Sequence, residues 1–151
     1  MQVVNQAGAV ILVVALVAGT AFALWRRRTD GRMRTQPSQA STGSSDVSFP
    51  VAELGLDLGR RATLVQFSTA FCQPCRATRV VLSEVAEMVD GVVAVDVDAE
   101  AHLDIVRLLG VMRTPTVFVL DSAGVVRQRA VGAPRKVDVI AAVGAMDQGS
   151  T

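Results

Sequence analysis

The chain has 151 residues, half of them apolar, with 15 Lys and Arg against 14 Asp and Glu and one histidine. That length supplies one core of roughly 100 residues plus an appendage and leaves no room for a second full domain. The charge balance is close to neutral, and no basic stripe with interleaved aromatics appears, so nucleic acid is excluded as an expected partner.

The positive mean hydropathy arises mainly in the first 25 residues. From Ala7 to Trp25 the sequence AGAVILVVALVAGTAFALW runs nineteen residues without a charge, and Val3 and Val4 extend it. About 20 residues at 1.5 Å each cross a hydrocarbon core of roughly 30 Å, so a transmembrane helix is predicted over residues 3–25, with Trp25 at the interface. A cleaved signal peptide is the rival, with Ala21-Phe22-Ala23 as a small-residue site. No Lys or Arg precedes the apolar run, however, and Arg26, Arg27 and Arg28 follow it, the inverse of a secretory charge pattern. The same arginines, with Arg32 and Arg34 against Asp30, place the C-terminal side in the cytoplasm; an extracytoplasmic domain is the alternative. Thr35 to Ser48 reads TQPSQASTGSSDVS, too polar to fold, so residues 26–48 are expected to be a basic juxtamembrane segment followed by a flexible linker.

Residues 49–147 remain for the globular domain, and from Phe49 onward ten basic and twelve acidic residues leave it slightly acidic. Short apolar, β-rich runs at Thr63–Ser68, Val92–Val97 and Thr116–Leu120 predict buried strands. Asp121-Ser122-Ala123-Gly124 is a turn sequence, so Thr116–Leu120 and Val125–Val131 should pair as a hairpin. After Cys72, apolar residues Val81, Leu82, Val85, Met88 and Val89 recur at helical spacing, as do Leu103, Val106 and Leu109 in a shorter helix. A last helix from about Arg135 carries Val137, Ile140, Ala141 and Gly144 on one side. The order strand, helix, strand, helix, hairpin, helix predicts an α/β fold, a mixed central sheet flanked by helices. Two crossovers give parallel strands in that reading and the hairpin an antiparallel one.

The two cysteines, three positions apart, close a loop too short to restrain the unfolded chain, so their spacing is read as chemistry. Cys72-Gln73-Pro74-Cys75 lies where the first strand ends and the first long helix begins. A thiolate at a helix N-terminus meets unpaired amides and the positive end of the dipole, which lowers its pKa from about 8.5. Cys72 is then the exposed attacking sulfur. Cys75, one turn inside, is placed to resolve a mixed disulfide. Pro74 suits the first helical turn, where its missing N–H costs nothing. Zinc needs four ligands and the chain offers only His102 and scattered carboxylates besides the pair, so no metal and no cofactor are expected; a metal or iron-sulfur site shared between two chains is the alternative.

With these landmarks in order, Phe49 to about Met146 resembles the thioredoxin family. Phe67 precedes the motif on its strand, FCQPC stands where the family usually has WCGPC, Thr114-Pro115-Thr116 stands at the family's cis-proline loop, and Gly124 and Val131-Gly132 fit the hairpin and the glycine before the final helix. The resemblance implies a thioredoxin fold, a cis Thr114-Pro115 bond against the cysteine pair, and a Thr114 backbone that pairs with a substrate strand. Without it, Pro115 is only a strand-start proline. Four departures bear on mechanism. Gln66 stands where many thioredoxins carry a buried aspartate, which puts a carboxylate relay for Cys75 in doubt. Phe71 replaces the family's Trp and is expected to keep an apolar wall beside the sulfur, and Gln73 replaces Gly. Val80 stands where a kinking proline is frequent, Arg76 reads as a solvated helix charge, and His102 as a surface residue.

The expected function is that of a membrane-tethered thiol-disulfide oxidoreductase, a dithiol reductant acting on protein or small-molecule disulfides and recharged by a reductase or other electron donor. An extracytoplasmic exchanger of the cytochrome-maturation or disulfide-repair type is one alternative. A low-turnover thioredoxin-fold binding module is the other.

Overall fold

The computed structural model describes residues 2–29, 33–35 and 49–146. They divide into two units, 1–30 and 31–151. The first is a single helix, α1 (Gln2–Thr29). Its side chains are described over 12–25, and every one is exposed, Leu16 and Trp25 among them. Among the described residues no helix is long and apolar enough to cross a membrane. The span expected at 3–25 reaches outside the described side chains.

The second unit contains, in chain order, β1 (Met33–Thr35), β2 (Ala62–Ser68), α2 (Gln73–Met88), β3 (Val92–Asp98), α3 (Leu103–Leu108), β4 (Thr116–Leu120), β5 (Val126–Val131) and α4 (Lys136–Gly144). One five-stranded sheet runs in the order β1-β5-β4-β2-β3. β1 falls inside the segment expected to be linker and pairs antiparallel with β5. An edge strand offers a row of unpaired backbone groups, and an extended neighbouring segment satisfies them whatever its composition. The remainder of 30–48 lies outside the described residues.

The sheet is mixed, but only one of its pairs is parallel. α2 carries the chain back along the sheet, and β3 lies parallel to β2. Sixteen residues of helix rise about 24 Å, the length of a seven-residue strand, so this crossover spans the sheet. The second connection was also expected to be a parallel crossover, and it is not: β4 runs antiparallel to β2, starting with Thr116 opposite Phe67. α3 has six residues and rises about 9 Å, too little to cross the sheet, so the chain re-enters at the end it left.

Strand alternation sorts side chains to two faces. Ala62, Leu64, Val92, Val117 and Val119 meet Leu82 and Val85 of α2 and Val139, Ala142 and Val143 of α4. Val65, Phe67, Val97, Phe118 and Leu120 meet Ile105 and Leu109 around α3, with Phe49. Phe49, Phe67 and Phe118 form a ring triad with centroids 5.5–6.3 Å apart, two pairs tilted and the Phe67–Phe118 pair in the edge-on geometry that aromatic quadrupoles favour. β2 is buried along its whole length because both faces are covered, its polar residues Thr63, Gln66 and Ser68 included.

The expected helix faces need correction. α4 buries Val139, Ala142 and Val143, whereas Val137 and Ile140 of the expected stripe are exposed. α3 buries Ile105; of the expected stripe Leu109 is buried and Val106 packs against the core, while Leu103 is exposed. Both helices are short and apolar on more than one side, so periodicity alone does not choose the face; contact with the sheet does.

At the β4–β5 turn, Gly124 has a φ of 78°, a left-handed conformation that side chains disfavour, and a Cβ there would meet Val51 Cγ2 at 2.9 Å. Asp121 Oδ1 accepts hydrogen bonds from the amides of Ala123 and Val125, and Arg127 pairs with Oδ2 at 2.7 Å. Burial by itself raises the Asp121 carboxyl, but the Val125 amide, Arg127 and the Ala123 amide together outweigh it and hold the group below the ordinary carboxylate range. A depressed folded pKa contributes stability that is present above the unfolded value of about 4 and is lost as pH falls through the folded one. Unfolding midpoints of wild type and Asp121→Asn should therefore converge as pH drops from about 6 to about 2. A gap that stays constant over that range excludes the role assigned to the ionised carboxylate.

Candidate functional site

The redox pair sits where β2 ends against the start of α2. Phe67 and Ser68 are locked into the central strand, and the chain turns at Thr69–Phe71, with the Cys72 amide donating to Thr69 O at 3.2 Å. α2 then begins with Cys72 as its N-cap and Pro74 in its first turn. A proline there gives up no helical hydrogen bond, so the motif starts the helix instead of interrupting it. Gln73 and Pro74 are both exposed. α2 continues unbroken past Val80, whose side chain faces solvent.

Cys72 and Cys75 are joined in a disulfide with Cα atoms 5.2 Å apart. Their surroundings differ sharply. Cys75 is 1% exposed and packs beneath the first turn, while Cys72 is half-buried at the surface. The Cys75 amide is aimed at Cys72 Sγ, 3.2 Å away. A thiolate on Cys72 thus has a backbone donor and a helix N-terminus facing it, the two features that stabilise the anion. Cys75 has neither the exposure nor the donor.

The expected apolar wall at Phe71 is not built: its ring is 97% exposed, because the residue lies on the outer side of the turn. Thr114-Pro115 is a cis peptide, with Pro115 buried and Thr114 half-buried. The hydroxyls of Thr69 and Thr114 are 3.5 Å apart, which brings that loop to the residues leading into the motif. Pro115 O accepts a hydrogen bond from the Gly132 amide at 2.8 Å. His102 is the N-cap residue of α3 without a side-chain cap bond.

Gln66 is 1% exposed beneath α2. Its Nε2 donates to Cys75 O at 3.1 Å and to Asp96 Oδ1 at 2.8 Å, so one amide bridges the helix of the motif and the neighbouring strand. Asp96 Oδ2 accepts from Ser68 Oγ at 3.0 Å and pairs with Arg79 of α2. Gln66 Oε1 is buried without a hydrogen-bond partner. Beside this network opens a polar cavity of ≈ 300 Å³, lined by Thr69, Cys72, Cys75, Arg76, Arg79 and Asp96 among others. Sequence reasoning missed Asp96, Arg79 and Ser68. The available signal was the pair of aspartates at the fifth and seventh positions of VVAVDVD, but only the β2–β3 register puts Asp96 opposite Gln66.

Comparison with known proteins agrees with this geometry. The thioredoxin family model matches residues 56–145. Among solved structures, a chloroplastic thioredoxin z is 26% identical over 66% of this chain and 87% of its own, with a TM-score of 0.55. A mutant thioredoxin from Halobacterium salinarum NRC-1 is 18% identical over 62% of this chain and 80% of its own, at 0.54. Thioredoxin f from spinach chloroplast is 22% identical over 59% and 79%, at 0.52; these last two likenesses speak for the fold alone. None of the curated proteins matches the chain at a significant level.

The unequal burial of the two sulfurs has a direct readout. After mild reduction, limiting alkylating reagent should label Cys72 and modify Cys75 on the order of tenfold more slowly, as mapped by peptide mass spectrometry. Equal labelling contradicts the asymmetry.

Proposed function

The chain belongs to the thioredoxin family, and from that membership we propose that it works as a membrane-tethered dithiol reductant of disulfides. The observation that carries the chemistry is the placement of one sulfur at the surface N-cap of α2 and of the other buried one turn inside. Cys72 attacks a substrate disulfide as the thiolate, forming a mixed disulfide and expelling the first substrate sulfur. Cys75 then attacks Cys72 Sγ, and the second substrate sulfur leaves with the electron pair of the broken bond. The substrate gains two electrons and the pair ends as the Cys72–Cys75 disulfide, which an external dithiol donor must reduce again. Thr114, beside Thr69 at the rim of the site, offers its backbone to an extended substrate segment.

What supports the tether is the character of α1. A helix that is apolar on every side and exposes Leu12, Val13, Leu16, Val17, Phe22 and Leu24 needs an apolar surrounding. Within it the uncharged run from Ala7 to Trp25 rises about 28 Å, close to a hydrocarbon core of about 30 Å. The arginines that follow favour a cytoplasmic globular domain under the positive-inside rule, and there a dithiol is the working form.

Cys72→Ser should abolish reduction of a protein disulfide, whereas Cys75→Ser should accumulate long-lived mixed disulfides that non-reducing electrophoresis detects. Equal residual turnover in the two variants contradicts the assigned roles. For topology, a C-terminal tag should resist protease in intact spheroplasts and be cut after lysis. Digestion without lysis moves the domain outside and favours an extracytoplasmic exchanger.

A further inference from the structure

Resolution of the mixed disulfide requires that Cys75 lose a proton, yet Cys75 is 1% exposed and the β2 side chain bonded to its backbone, Gln66, is an amide. Gln66 cannot take that proton as a base, since a neutral amide only donates or accepts hydrogen bonds. A carboxylate is nevertheless held at the site from the adjacent strand. Asp96 is the register partner of Gln66 on β3 and points to the same face of the sheet. It lines the cavity that Cys72 and Cys75 line, and three side chains fix it: Gln66 and Ser68 from β2 and Arg79 from α2.

We infer that Asp96 is the proton acceptor for Cys75 in the resolving step, with Gln66 locking the carboxylate to the Cys75 backbone. The inference rests on the reading of Cys72 and Cys75 as attacking and resolving sulfurs. The cavity, at ≈ 300 Å³, has room for water between the carboxylate and the thiol. Through that water the Cys75 S–H gives its proton to Asp96. The Cys75 thiolate then attacks Cys72 Sγ, the Cys72–Cys75 bond forms, and the Cys72–substrate bond breaks with its electron pair on the departing sulfur. Asp96 passes the proton to that thiolate or to solvent, so no proton or electron is left over.

The charges around Asp96 shape this role. Arg79 pairs with Oδ2, and Arg76 across the cavity adds positive charge. Asp98, two residues along on the same face, opposes them. Oδ1 takes its hydrogen bond from the Gln66 amide, so the carboxylate is held without a second charge on that side.

Stopped-flow reaction of the full reduced chain with an aromatic disulfide reagent separates the two steps, because each step releases one coloured thiolate. The first release reports attack by Cys72 and the second resolution by Cys75. Asp96→Asn should slow the second release at neutral pH by on the order of 10- to 100-fold and the first by less than about twofold. The deficit should close as pH rises, where hydroxide ionises Cys75 directly. Asp96→Glu, and Gln66→Asp placed in the Asp96→Asn background, should each recover most of the second rate, since both restore a carboxylate to the pair of strands. An unchanged second release in Asp96→Asn, equal slowing of both releases at every pH, or failure of both carboxylate-restoring variants overturns the inference. A wild-type chain that gives the first release and never the second overturns instead the assignment of Cys75 on which it rests.

Discussion

The parallel pairing of β2 and β3 is the constraint on which the site depends. It aligns Gln66 with Asp96 and Ser68 with Asp98, and it requires a crossover helix long enough to return along the sheet. α2 is that helix, and its N-terminus therefore stands at the C-terminal end of β2. The cysteine motif occupies this junction, where a strand has just ended and the first amides of a helix have no backbone partner. Remove the pairing and the helix start, the hydrogen bonds of Gln66 and the cavity all lose their position together.

Burial divides the labour between the two sulfurs. Leu82 and Val85 anchor α2 to the sheet through an apolar face, and the same face continues to Thr78 and Cys75 at the helix start. Cys75 is thus drawn into the core by the packing that fixes the helix, while Cys72, at the cap, stays at the surface. Thr78 satisfies its own hydroxyl on Pro74 O at 2.9 Å, so the polar residue on this buried face leaves no donor stranded. The opposite face of the sheet supports the arrangement without entering it. There the phenylalanine triad fills the space under α3, and the Arg129 guanidinium lies over Phe118 and donates to the carbonyls of Leu109 and Gly110, where α3 ends.

A polar network under a helix is costly to bury unless its members satisfy one another. Here the Gln66 amide reaches two acceptors at once, and the Asp96 carboxylate is met by an amide, a hydroxyl and a guanidinium. β3 lies at the edge of the sheet, so Asp96 keeps access to solvent while Gln66, on the central strand, does not. A charge is easier to hold on the edge than in the centre. That difference gives a physical reason for finding the amide on β2 and the carboxylate on β3.

Local sequence was sufficient wherever the determining interaction is local. The strands at 62–68, 92–98 and 116–120 follow from β-rich apolar runs, the hairpin from the Asp121–Gly124 turn, and the helix N-terminus at Cys72 from the placement of Pro74 and the apolar spacing behind it. The pair itself was legible because its chemistry depends on two residues one helical turn apart. The direction of β4, the buried faces of α3 and α4, the pairing of Met33–Thr35 with β5 and the exposure of Phe71 were not legible, since each is decided by contacts between segments distant in the chain. Asp96 is the sharpest instance. Thirty residues separate it from Gln66. In sequence it is one of two aspartates in an otherwise apolar strand, and only the register of a parallel pair, set by the length of α2 and the packing of both sheet faces, turns it toward the cysteines.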